Sequence, residues 1–244
     1  MGSQLSTVLR LFVGNHKRSL FDPKTSKRLR GLIVDQSTIE FMELCLNPNV
    51  SCSALYDWIN TNNVNVNSYS NTKHDYFLNH PRTALHLLAH SNDPQAISKI
   101  RLLVSQCDAK VDPNIIVGKD AKMIYVTPLY VAVEGNHYDT VKELILLGAN
   151  IEMAHAADVA SPLFFVSIAT HDLQMAKVLL SSGASPNVRD FNEFYSILKS
   201  TIDVEIAALL LCMGADPNAS NKNNWSVLDF APIRGILTSF FSSS

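Results

Sequence analysis

Two histidines four residues apart, in the run His86-Leu87-Leu88-Ala89-His90, would share one face of a helix, which is half of a zinc site. Zinc takes three or four protein ligands. No Glu follows His86 and no third ligand lies nearby in sequence, so no metal and no other cofactor is expected. Four cysteines, Cys45, Cys52, Cys107 and Cys212, are scattered without a CxxC pair. That pattern fits neither a zinc knuckle nor a redox pair, and thiols so placed fit a reducing, cytoplasmic compartment. No serine sits in a GxSxG elbow and no glycine-rich loop could cradle a phosphate. Caps, core thiols and turns account for the polar residues as well as catalysis does. No catalytic residue is therefore named, and the chain is not expected to be an enzyme.

A second chemistry belongs to the N-terminus. Met1-Gly2-Ser3-Gln4-Leu5-Ser6 fits the myristoylation pattern, with Gly2 as acceptor. Seven basic residues follow, Arg10, Lys17, Arg18, Lys24, Lys27, Arg28 and Arg30, opposed before residue 35 by Asp22 alone. One acyl chain binds a membrane only marginally, and a basic cluster would be the second signal. The competing readings are a solvated flexible leader and an engineered Met-Gly-Ser start. Nucleic acid is disfavoured because no aromatic residues are interleaved with the charges as a stacking platform needs. No run reaches about 18 apolar residues, so no membrane span is expected.

The elements that must position these residues are read from composition and repetition. The chain has 244 residues, 47% apolar, with a net charge of −2, enough for one or two domains with a real core and without a global field for nucleic acid. Thr127-Pro128-Leu129 recurs as Ser161-Pro162-Leu163, 34 residues on. Gly-Ala recurs at Gly148, Gly183 and Gly214, with Ser185-Pro186-Asn187 and Asp216-Pro217-Asn218 after the last two. The hydroxyl caps a helix that Pro opens. A second helix is apolar at helical spacing (Val141, Leu144, Ile145, then Met175, Val178, Leu179) and glycine in the left-handed region ends it. One such hairpin cannot hide its apolar face, whereas stacked hairpins can.

Thr127 to Glu152, TPLYVAVEGNHYDTVKELILLGANIE, resembles an ankyrin repeat over its whole helix-turn-helix length, with Gly135-Asn136 in place of the family's Asn-Gly turn and His137 matching its turn histidine. Asn218 to Ala231 is similar too. The resemblance covers residues 81–232 well and 30–80 weakly. It implies an all-α ankyrin-repeat solenoid of about five helix-turn-helix units with finger loops. Residues 1–30 are expected to be a basic flexible leader, 31–80 a divergent capping repeat with a long finger, and 81–244 the repeats with a shortened C-terminal cap. Ile39–Leu46 and Ser53–Ile59 read as the cap's two helices, and Asn63 to Asn67 echoes a unit end. Thr83 opens the first clear unit, which ends near Asp112-Pro113-Asn114. Thr127 and Ser161 open the next two, Ile206 to Gly214 is the second helix of the fourth, and Ser226 opens the terminal one. The resemblance also makes His86 a structural histidine.

Ankyrin proteins meet partners through finger tips and the inner-helix face. Carried residue by residue onto this chain, the resemblance implies Asn79, His80, Arg82 and His90 in the first clear unit. It implies Met123, Ile124, Val126 and Glu134 in the second, the bland Ala157, Asp158, Ala160 and Ile168 in the third, Phe191 and Asn192 in the fourth, and Lys222, Asn223 and Trp225 at the end. Trp225, Phe191, Tyr125 and Arg82 are the expected anchors, since aromatic residues and Arg dominate interfaces. The expected function is a non-catalytic, monomeric protein-binding adaptor or inhibitor in the cytoplasm that does not bind nucleic acid. Other readings are a scaffold tethered to a membrane through acylated Gly2, and the substrate-recognition subunit of a ubiquitin ligase. Against the last, Pro232 to Ser244 is short for a ligase-docking box.

Overall fold

Helices of four to eleven residues do not persist alone in water, so each must be held by its cap and its neighbours. A computed structural model describes residues 36–69, 82–91, 93–113, 126–153, 161–166, 170–187 and 203–219, all within the unit Gln36–Ser244. Among these residues the regular elements are helices: α1 Gln36–Leu46, α2 Cys52–Asn62, α3 Ala84–His90, α4 Ala96–Gln106, α5 Pro128–Glu134, α6 Tyr138–Leu146, α7 Pro162–Phe165, α8 Leu173–Ser181 and α9 Val204–Cys212. They form four hairpins in chain order, and α9 packs on α8 as a further helix of the same layer.

The caps follow the residue types. Ser51 accepts from the Ala54 N–H, Thr127 from the Tyr130 N–H at 3.1 Å, Asp172 from the Met175 N–H, and Asp203 from Glu205 and Ile206. Pro opens α5 and α7. One expectation fails: Ser161 makes no capping bond, and its buried Oγ has no partner.

First helices stack on first helices (α1, α3, α5, α7), and second on second (α2, α4, α6, α8, α9). Between the two layers lie Leu85, Leu88, Leu129, Ala132, Leu163 and Val166 from one side, and Ile100, Leu103, Val141, Leu144, Met175, Leu179, Ile206 and Leu210 from the other, all buried. Of the second-helix residues predicted from spacing, only Ile145 is half-buried.

What fixes one register through the stack is the turn after each second helix. Its first residue is left-handed in all five units: Asn63 (φ 50°), Asp108 (φ 56°), Gly148 (φ 94°), Gly183 (φ 100°) and Gly214 (φ 92°). The fifth residue of each turn reaches the third residue of the next. Asn67 accepts from the Lys110 N–H at 2.8 Å, Asp112 from Asn150 at 2.7 Å, Glu152 from Ser185, and Asn187 from Asp216 at 2.7 Å. Four junctions are closed by the same bond. The first unit, the most divergent in sequence, is therefore a regular member of the array. The turn of the second unit is Asp108–Asp112, so Asp112-Pro113-Asn114 is not the counterpart of Asp216-Pro217-Asn218. Lys110 holds the Asp216 place.

Further bonds are particular to each junction. Lys99, fully buried, donates to the carbonyls of Cys45 (3.0 Å) and Asn47 (2.7 Å) and pairs with Asp93 at 3.3 Å. Those carbonyls belong to the end of α1, where a helix has no acceptors' partners of its own. Arg101 on α4 grips Glu143 on α6 through two bonds of 2.7 Å. Tyr138 donates to Asp172, the α8 cap, at 2.6 Å.

Candidate functional site

Of the seven residues in α5, six are buried and Glu134 alone is exposed. In α3 five are buried, Leu87 is half-buried, and His90 alone is exposed. His90 lies seven residues after the capping Thr83 and Glu134 seven after Thr127, so equivalent positions of adjacent units carry the side chains that the inner layer leaves to solvent. The spacing is the cause: the other positions of so short a helix face either the paired outer helix or the neighbouring inner ones.

His137 joins the pair. Its Nε2 lies 3.2 Å from the His90 carbonyl, and the two rings meet edge-on with centroids 6.5 Å apart. The turn that brings it there has Asn136 in the left-handed region, φ 57°, as expected when Asn stands for the family's glycine. Gly135 has ordinary φ but is needed for room, because a Cβ there would come within 2.6 Å of the His137 ring. In the following unit the bond from the His171 N–H to the Val166 carbonyl, 2.9 Å, closes a π-type turn, and left-handed φ falls on His171. Left-handed His171 lies ten positions after Ser161, whereas left-handed Asn136 lies nine after Thr127, which is why Thr127 to Ser161 spans 34 positions and Gly148 to Gly183 spans 35.

His86 is structural in a specific way. Its ring is fully buried. Nδ1 accepts from the Thr83 N–H at 3.3 Å and lies 2.9 Å from Thr83 Oγ1, and Nε2 donates to the Val126 carbonyl at 2.9 Å. One imidazole thus caps α3 and ties it to the next unit. Burial, with the Arg82 charge adding to it, lowers its pKa from 6.5 to about 4, against the bond to Val126. Both nitrogens are committed, so His86 and His90 do not make half a metal site. Among the described residues no group of three or more His, Cys, Asp or Glu is placed to hold a metal ion.

Two expected contact residues turn inward. Arg82 and Val126, each just before the capping threonine, are 4% and 5% exposed. The Val126 side chain belongs to the buried apolar core, while its carbonyl is the acceptor for His86. Arg82 is likewise engaged by the fold. His90 and Glu134 are exposed as expected. Gly2, Asn79, His80, Met123, Ile124, Tyr125, Ala157, Asp158, Ala160, Ile168, Phe191, Asn192, Lys222, Asn223 and Trp225 lie outside the described residues. Sequence reasoning missed Asn136 and His137 as companions of His90. The available signal was that the family's turn histidine sits one unit downstream of an exposed helix end.

This site offers an imidazole pair and a carboxylate, a set for hydrogen-bonding and ionic contact. Stacked hairpins with inner helices, outer helices and registered turns define a repeat solenoid. Residues 126–156 match the family model for the ankyrin repeat, and the flanking described units share its register: the fold is an all-α ankyrin-repeat solenoid.

The fold recurs in the ankyrin repeat domain of Bcl-3, described as a unique member of the IkappaB family, at 19% identity and a TM-score of 0.58 over 81% of this chain and 97% of that one. It recurs in a chain from the structure of the Bd0816 predatory endopeptidase from Bdellovibrio bacteriovorus in complex with immunity protein Bd3460. There the identity is 16% and the TM-score 0.54, over 82% and 92% of the two chains. No curated protein matches in sequence. Among the described residues no helix is long and apolar enough to cross a membrane.

Proposed function

We propose that this chain is a non-catalytic protein-binding module, an adaptor or inhibitor, that docks one partner protein along its inner-helix ends and finger loops. The observation that carries the reading is the column of exposed helix ends, His90 and Glu134, on helices otherwise turned inward. Ankyrin repeats in general mediate protein–protein contact, and the junction bonds hold adjacent units in one register, so recognition requires little ordering on binding. Tyr125, Phe191 and Trp225 are the proposed aromatic anchors at the finger side, with Asn79, His80, Met123, Ile124, Asn192, Lys222 and Asn223 around them. The free thiols of Cys45, Cys52, Cys107 and Cys212 support a reducing compartment.

The test is affinity purification with the full chain, followed by titration of the purified partner against three variants: His90→Ala with Glu134→Ala, Phe191→Ala, and Trp225→Ala. The reading expects one discrete partner whose affinity falls at least tenfold in one or more variants with thermal unfolding unchanged. A partner bound equally by all three variants, or affinity lost only together with stability, contradicts it.

A further inference from the structure

The side chains that join successive turns are not equivalent. Asn67 and Asn187 use both ends of the amide. Oδ1 accepts from Lys110 or Asp216, and Nδ2 donates at 3.1 Å to the carbonyl of the left-handed residue of the next turn, Asp108 or Gly214. Asp112 holds the same place between the second and third units and keeps only the first bond, Oδ2 accepting from Asn150. Its Oδ1 is buried and has no hydrogen-bond partner. By register, the Gly148 carbonyl is the counterpart of the Asp108 and Gly214 carbonyls. An ionised carboxylate has nothing to give a carbonyl, whereas a protonated one has a donor.

We propose that Asp112 is a proton-operated clamp: protonated, its Oδ1–H donates to the Gly148 carbonyl and completes the two-bond junction that Asn67 and Asn187 make. Ionised, it holds the junction by one bond and strands a buried oxygen, at the cost of desolvation. Burial raises the carboxyl above the usual aspartate range, and the bond from Asn150 opposes that rise. The ionisable groups on the elements packed around it are Cys107, Asp108 and Lys110 on its own side and Glu152 on the next turn. Among the described residues none is bonded or ion-paired to it. Glu152, in the same slot one junction on, strands no buried oxygen.

The sign follows from the raised carboxyl. Its stabilisation is complete below the unfolded value of 3.8 and is lost as pH rises through the folded pKa, so the junction tightens on mild acidification. His86, at the same junction, is linked to protons in the opposite sense, because its folded pKa is lowered.

Two full-chain variants test this. Asp112→Asn installs the amide of the neighbouring junctions. At pH 7 it should raise Tm by about 2–4 °C and slow exchange of the Asn150 amide about fivefold, the effect of one net hydrogen bond. Both gains should shrink as pH falls toward the unfolded value of 3.8, because wild type then acquires the same bond. His86 is present in both proteins, so its own titration cancels from the comparison. Asn187→Asp should do the converse, lowering Tm at pH 7 and recovering in acid. An Asp112→Asn variant with no gain at pH 7, or a gain that does not change with pH, overturns the clamp.

Discussion

Acid should weaken this protein through His86 by an amount that can be worked from its surroundings. The neutral ring donates from Nε2 to Val126 and accepts at Nδ1 from Thr83. A second proton has to enter at Nδ1, against the Thr83 N–H and without water. The folded pKa of about 4 lies below the unfolded 6.5, so between these values the unfolded chain binds the extra proton and the folded one does not. The stabilisation is complete above about pH 6.5 and fades as pH falls toward 4. At about 1.4 kcal/mol per pH step, tapering near the lower limit, the loss is about 2 kcal/mol by pH 5 and about 3 kcal/mol by pH 4. Urea unfolding of wild type and His86→Gln at pH 7, 6 and 5 measures it. Gln keeps a donor and an acceptor but does not titrate. The stability difference between the two proteins should narrow by about 2 kcal/mol from pH 7 to pH 5. A difference that stays constant over that range would refute a buried, neutral His86.

Three further outcomes follow from single contacts. Lys99→Met leaves the Asp93 carboxylate and two carbonyls at the end of α1 without their partner, and urea unfolding should register a loss of about 3–5 kcal/mol. Gly135→Ala forces the His137 ring off the His90 carbonyl; a cost of about 1–2 kcal/mol is expected, with changed His90 and His137 ring resonances in NMR spectra. The double variant His90→Ala, Glu134→Ala should stay within about 0.5 kcal/mol of wild type in the same assay, because neither side chain packs in the core.

What could be read from the sequence was whatever repeats in residue type. Gly148, Gly183 and Gly214 announced the left-handed turn because glycine is the residue that takes it freely, and Thr127-Pro128 announced a capped helix. Asn63 and Asp108 take the same backbone without glycine, so the first two turns lacked that signal: Asn63 to Asn67 was still legible as a unit end, whereas the place of Asp108 as the first residue of the second turn was not. The junction bonds were not legible as such, since they join residues whose pairing exists only once units stack. Their trace in sequence is an Asn, Asp or Glu four places after each left-handed residue, as at Asn67, Asp112, Glu152 and Asn187. Arg82 and Val126 were expected to project and are buried instead, because burial at the slot before the capping threonine is decided by the packing of stacked units, which a single repeat does not display. Ser161 resembles Thr127 in sequence but leaves its hydroxyl without a partner, in the unit where the left-handed residue comes one position later.

The account rests on all five described units sharing one register, and residue-resolved hydrogen exchange on the full chain addresses that directly. The amides of Lys110, Asn150, Ser185 and Asp216, which lie in turns and outside any helix, should be protected as a set, and Asn187→Ala should release Asp216 alone. Exchange of these four at the rates of an open loop would contradict the shared register and the binding face built on it.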